Sequence, residues 1–133
     1  MFERVRRGLV GERETMVEVA NTAQHLGSGA VSVFATPEMV RLMERAAVAA
    51  VDHLLPEGYR TVGVQVDVRH LAATPLGMTV RARAELLDVE GRKLTFRVEA
   101  FDDVEKVGEG VHRRMIVRLA KFKERVQSKS STG

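Results

Sequence analysis

Two residue types in this chain stand where simple packing does not want them. Glu44 lies in a helical pattern among apolar residues: its neighbours one turn away are Val40, Ala47, Val48 and Val51. A carboxylate in such a setting needs a partner or a raised pKa, which makes it a candidate working group. His70 ends a run in which Val62, Val64, Val66 and Val68 recur at alternate positions, so the pattern puts its imidazole on the apolar face of a strand. An imidazole titrates near neutral pH and a carboxylate can orient or attack, so together they fit acyl transfer, which needs a base of near-neutral pKa. Thr36 opens the helix in a Thr-Pro-Glu sequence, where it reads first as the N-cap. Gly63 interrupts the valine run; it predicts a bulge or a close approach to the helix, and close approach is also what a backbone oxyanion donor requires.

The elements that must hold these residues follow from periodicity. Helical spacing of Met39, Leu42, Met43, Ala46, Ala47, Ala50 and Leu54 predicts a helix from Pro37 to about Leu54, closed by Pro56-Glu57-Gly58. A first strand is expected around Glu12 to Val19, and a loop of small residues with Gly27-Ser28-Gly29 from Asn21 to Ser32. Four further strands are expected: Thr61 to His70, Met78 to Asp88, Lys93 to Phe101 and Val111 to Lys121. Their two-residue alternation fits an antiparallel sheet covered on one side, with turns at Thr74-Pro75-Leu76-Gly77 and Val89-Glu90-Gly91-Arg92. The order strand, long helix, four strands is an α+β arrangement in which a curved sheet of about five strands wraps one central helix. Residues 1–122 read as one domain and 123–133 as a frayed tail. Such a sheet has edges to protect, and pairing in a symmetric dimer protects them.

Composition removes several classes of function. The 133 residues contain no cysteine, which excludes disulfides, thiolate zinc sites and a thiol nucleophile. The excess of 21 basic over 18 acidic side chains is scattered and aromatics are scarce, so no nucleic-acid partner is expected. No apolar run reaches membrane-spanning length and no secretory signal pattern opens the chain; the expectation is a cytoplasmic protein without a membrane partner. His25, His53 and His112 show no metal-ligand spacing with one another or with His70. Gly27-Ser28-Gly29 lacks the spacing and the following Lys of a phosphate loop and reads as an entrance flap or a plain loop.

Three segments are more specific than the element order. Val33-Phe34-Ala35-Thr36-Pro37 with Leu42-Met43-Glu44, the stretch from Val66 to Val80, and Gly108 to Arg114 resemble the fluoroacetyl-CoA thioesterase-like family of hotdog acyl-CoA thioesterases, from about Thr15 to Phe122. The resemblance implies a hotdog fold, hydrolysis of a small acyl-CoA thioester, a catalytic set of Thr36, Glu44 and His70, and a substrate-binding role for Gly63. It implies no metal and no cofactor, CoA being part of the substrate, a preference for short acyl groups, and a homodimer or, as the alternative, a higher oligomer. The haloacetyl-selective member of that family carries bulky aromatics upstream of the helix, whereas Gln24 to Val33 here holds none. A non-catalytic acyl-CoA or small-acyl binding module is the competing expectation.

Overall fold

The computed structural model describes residues 1–27 and 29–132; Ser28 of the expected flap and Gly133 of the expected tail lie outside the described residues. Strand β1 spans Val10–Met16, a short helix α1 Ala23–Leu26, the long helix α2 Thr36–Val51, and strands β2 to β5 span Tyr59–His70, Thr79–Glu90, Lys93–Phe101 and Lys106–Arg118. A final helix, α3, spans Leu119–Thr132. The five strands form one antiparallel sheet in the order β1-β3-β4-β5-β2, so β1 and β2 are its edges.

The alternation read from the sequence holds where the sheet is most regular. Val80, Ala82, Ala84 and Leu86 of β3 and Leu94, Phe96, Val98 and Ala100 of β4 are buried together against the helix. Helix α2 answers with Met39, Leu42, Met43, Ala46, Ala47, Ala50 and Val51, all buried. The small residues allow close approach. At Gly11 a Cβ would run into the backbone of α2 at Ala46 and Ala50, so only glycine lets β1 lie this near the helix.

Strand β2 departs from the expected single-faced run. Gly63 pairs with Arg114 but Gln65 pairs with Arg113, so Val64 is an extra residue in the ladder, a β-bulge. The bulge switches the faces: Thr61 and Gly63 before it, and Val66, Val68 and His70 after it, register with inward residues of β5, while Val62 falls outside. Val64 and Val66, on an edge strand, remain 57% and 41% exposed.

Other boundaries move for local reasons. β1 starts earlier and stops at Met16, because Asn21 Oδ1 accepts the Glu18 N–H at 2.8 Å and turns the chain into a 3-10 turn over Val19–Asn21. α2 ends at Val51 and continues as a 3-10 turn, Asp52–Leu54, whose first carboxylate binds into β2. The segment read as a frayed tail is instead the helix α3, rich in good helix formers from Leu119 to Arg125. It lies along solvent over nearly all of its length, so it lacks the buried face from which a helix is normally recognised.

Gly11→Ala tests the close approach of β1 and α2. It should destabilise the fold by about 1–3 kcal/mol, as overpacking against backbone does. A urea midpoint equal to that of the parent protein would contradict this packing.

Candidate active site

Thr36 is the first residue of α2, not its cap. Ala35 holds the N-cap position, and its carbonyl accepts the N–H groups of Glu38 and Met39. Freed from capping, the Thr36 hydroxyl bonds His70 Nδ1 at 2.8 Å. His70 reaches it because the last inward position of β2 lies beside the start of α2, opposite Gly108 of β5. A Cβ at Gly108 would strike Met39, so that glycine keeps β5 tight under the helix start. His70 Nε2 is buried with no hydrogen-bond partner among the described residues, and burial pushes the imidazole pKa below its ordinary value. The pair lines a cleft of about 470 Å³ whose wall includes Ala23, Val33, Phe34 and Ala72.

Glu44 does not sit unpaired in an apolar setting as its sequence neighbours predict. Arg41 is engaged by Glu38 at 3.5 Å. Glu44 itself is 40% exposed and faces Arg114 of β5, with Oε2 3.8 Å from Nη1. Gly63 belongs to the same corner: a Cβ there would stand 3.0 Å from Glu44 Oε2 and 3.3 Å from Arg114 Nη1, so glycine keeps the carboxylate uncovered.

The four residues expected at the site therefore form two pairs, Thr36 with His70 and Glu44 with Gly63. Glu44 lies eight positions after Thr36 on the helix, about 12 Å along the axis, and its ion-pair partner is Arg114 rather than His70.

Three further polar residues escape a reading of apolar periodicity. Asp52, His112 and Arg114 are buried. Arg114 donates Nε–H to Thr61 Oγ1 at 2.8 Å and Nη2–H to the Thr61 carbonyl at 2.9 Å. Thr61 in turn donates its hydroxyl to Asp52 Oδ1 at 2.6 Å and its N–H to Asp52 Oδ2 at 3.1 Å. His112 Nδ1 lies 2.8 Å from the Gln65 carbonyl and Nε2 lies 3.1 Å from Arg114 Nη1. A carbonyl only accepts and a guanidinium only donates, so His112 carries its proton on Nδ1 and is neutral. Its pKa is lowered, first by burial and further by the Arg114 charge, against the Gln65 bond and Glu44. The signal for both was present in β5: His112 and Arg114 share the parity of the apolar Ile116.

A long helix wrapped by one curled antiparallel sheet, with a hydroxyl–imidazole pair beside a short cleft and a carboxylate further along the same helix, places the chain among the hotdog-fold thioesterases. The family described as fluoroacetyl-CoA-specific thioesterase matches residues 17–120. The fluoroacetyl-CoA thioesterase of Streptantibioticus cattleyicolor is 42% identical over 133 residues, covering 93% of this chain and 96% of that protein. The solved structure of a fluoroacetyl-CoA thioesterase superposes with a TM-score of 0.86 at 40% identity, covering 94% of this chain and 97% of the other. A hot-dog-like protein from Thermanaerovibrio acidaminovorans gives 0.88 at 29% identity, covering 96% and 94%. The chain belongs to the fluoroacetyl-CoA-specific thioesterase family.

The buried neutral histidines give the fold a pH dependence. Both His70 and His112 have pKa values depressed from 6.5. The unfolded chain therefore binds more protons in the window just below 6.5, and stability falls as pH falls through it. Urea midpoints should drop between pH 7.5 and pH 5.5, and His112→Gln should flatten the drop. A midpoint that rises on acidification over that range would contradict the assignment.

Proposed function

We propose that this chain hydrolyses a small acyl-CoA thioester to the free acid and CoA, using Thr36, Glu44 and His70. The observation that carries the reading is the His70 imidazole: Nδ1 is held by Thr36 and Nε2 is left without a protein partner. With Nδ1–H donating to Thr36 Oγ1, the Nε2 lone pair is the base. It takes a proton from water as the oxygen bonds to the thioester carbonyl carbon. The carbon–sulfur bond then breaks, and the same proton goes to the departing thiolate. The lowered pKa keeps the base neutral at pH 7.

Two sets of donors suit the oxyanion. Pro37 has no N–H, and Glu38 and Met39 donate to Ala35, which leaves the Thr36 N–H at the helix end. The other is the backbone beside the bulge at Gly63, where the missing side chain permits a carbonyl to approach. The fit to CoA draws support from a related thioesterase variant whose structure is described in complex with fluoroacetate and CoA, 41% identical to this chain. Small side chains at Ala23, Val33 and Ala72 suit a short acyl group.

The separation of the two pairs gives the dimer a chemical purpose. The free edge of β2, with Val64 and Val66 exposed, is the natural place for a second copy to add its own β2. An antiparallel pairing about a two-fold axis near Val66 and Asp67 sets His70 of one copy opposite Gly63 of the other. Glu44 of the second copy then stands near the Thr36–His70 pair, where it orients the attacking water. In this arrangement each dimer has two sites, and each site takes residues from both chains.

Four measurements test the reading. Thiol release should be faster with acetyl- or propionyl-CoA than with long-chain acyl-CoA. Glu44→Gln and His70→Ala should each lower kcat by about 10²-fold or more while remaining folded; destabilised variants with normal turnover per folded molecule would defeat the assignment. Mixing these two inactive variants and allowing subunits to exchange should restore about a quarter of parental activity, because half of the dimers then hold one intact site. No recovery after verified exchange would place all three residues in one chain. The acid limb of kcat/KM should fall below pH 6.5, following the lowered His70 value; a limb well above it would exclude His70 as the base.

A further inference from the structure

Arg114 is the most connected side chain near the site, and the reaction as written gives it no part. Its guanidinium is almost wholly enclosed, with 7% of the side chain exposed. One N–H goes to Thr61 Oγ1, one to the Thr61 carbonyl and one to His112 Nε2. Those three bonds fix the plane and the rotation of a rigid fork. The Nη1 that is held against His112 is also the nitrogen that faces Glu44. Glu44 is half-exposed and has no other ion-pair partner among the described residues, so its direction depends on a charge that cannot turn.

The fork is braced from behind. Asp52 accepts both the hydroxyl and the N–H of Thr61, and so fixes the oxygen to which Arg114 Nε donates. The brace crosses elements: Asp52 follows α2, Thr61 lies in β2 before the bulge, and Arg114 and His112 lie in β5. His112 is held in one tautomer by the Gln65 carbonyl just past the bulge. Burial of Arg114 is offset by the two carboxylates, Asp52 behind it and Glu44 in front. A buried cation needs compensation of that kind. Glu44 is the outer of the two, with 40% of its side chain exposed against 9% for the Asp52 residue.

We propose that Arg114, braced by Asp52 and Thr61 and clamped by His112, is the positioning residue that aims the Glu44 carboxylate. The inference rests on the reading of Glu44 given above. A lysine keeps the charge but offers a flexible point donor in place of the fork, so Arg114→Lys should leave Glu44 paired but misdirected.

The test is a set of variants measured for thiol release from acetyl-CoA and for unfolding on the same samples. Arg114→Lys should lower kcat about 10-fold or more with KM changed far less, because a small misplacement of a reacting group costs rate rather than binding. Thr61→Val removes the hydroxyl that joins Asp52 to Arg114 and should act in the same direction, while Thr61→Ser restores the hydroxyl and the rate. Arg113→Lys, on the outer face of the neighbouring position, should change nothing. In a Glu44→Gln background, Arg114→Lys should add little further loss. If the two losses multiply instead, or if folded Arg114→Lys turns over normally, the positioning role is overturned. Should Arg114→Lys fail to fold, the Thr61→Val and Thr61→Ser pair decides by the same comparison. If Glu44→Gln alone is fully active, the reading of Glu44 falls and this inference falls with it. That result differs from an inactive Glu44→Gln beside a normal Arg114→Lys, which overturns only the positioning role.

Discussion

The bulge at Val64 is the constraint on which the rest of the arrangement depends. Thr61 and Gly63 are at odd positions and Val66, Val68 and His70 at even ones, so no regular strand turns all five toward the helix. One inserted residue reconciles them. Before the bulge the inward face serves the buried polar brace, where Thr61 binds Asp52 and Arg114. After it the inward face serves the imidazole that meets Thr36. Without the insertion, one of these would point to the outer face of the sheet.

The helix supplies the second half of that geometry. Because Ala46, Ala47 and Ala50 are small and Gly11 has no side chain, α2 lies close to the sheet, and its first residue comes within a hydrogen bond of the end of β2. The N-cap passes to Ala35, which has no side-chain group to offer. A threonine cap commonly contributes about 1 kcal/mol to a helix; here that hydroxyl is directed to His70 instead. The helix start forgoes a side-chain cap at that residue, and Met39 and Met43 are buried in the first turns that follow.

Much of this was legible in the sequence, and the remainder was hidden for physical reasons. The periodicity of α2, β3 and β4 marked the core, because those elements bury one face uniformly. Thr36 reads as an ordinary N-cap and is singled out only by the family resemblance, while Glu44, Gly63 and His70 were visible as residues out of keeping with their patterns. Their grouping was not, since Glu44 was judged against its own helix while its partner lies on β5. Parity along β2 misled for Val62 because a one-residue insertion has no signature beyond a glycine. The burial of Asp52, His112 and Arg114 has no signature in the sequence because such residues are normally exposed, and they are buried here as a mutually satisfied set. The exposed helix α3 gives no periodic signal because its residues favour a helix without presenting a face to bury.

The two pairs also divide the electrostatics. The cleft end holds an imidazole whose proton affinity is reduced by burial, and a hydroxyl that carries no charge. The far end holds one guanidinium between two carboxylates, with a neutral imidazole beside it. A hydroxide forming near His70 would be opposed by an adjacent fixed carboxylate, and an imidazolium forming there would be favoured by one. Bringing a carboxylate up only through a second copy would confine its effect to the assembled site, where the proton is moved. The exposed valines of β2 lie along the sheet edge that the fold leaves open.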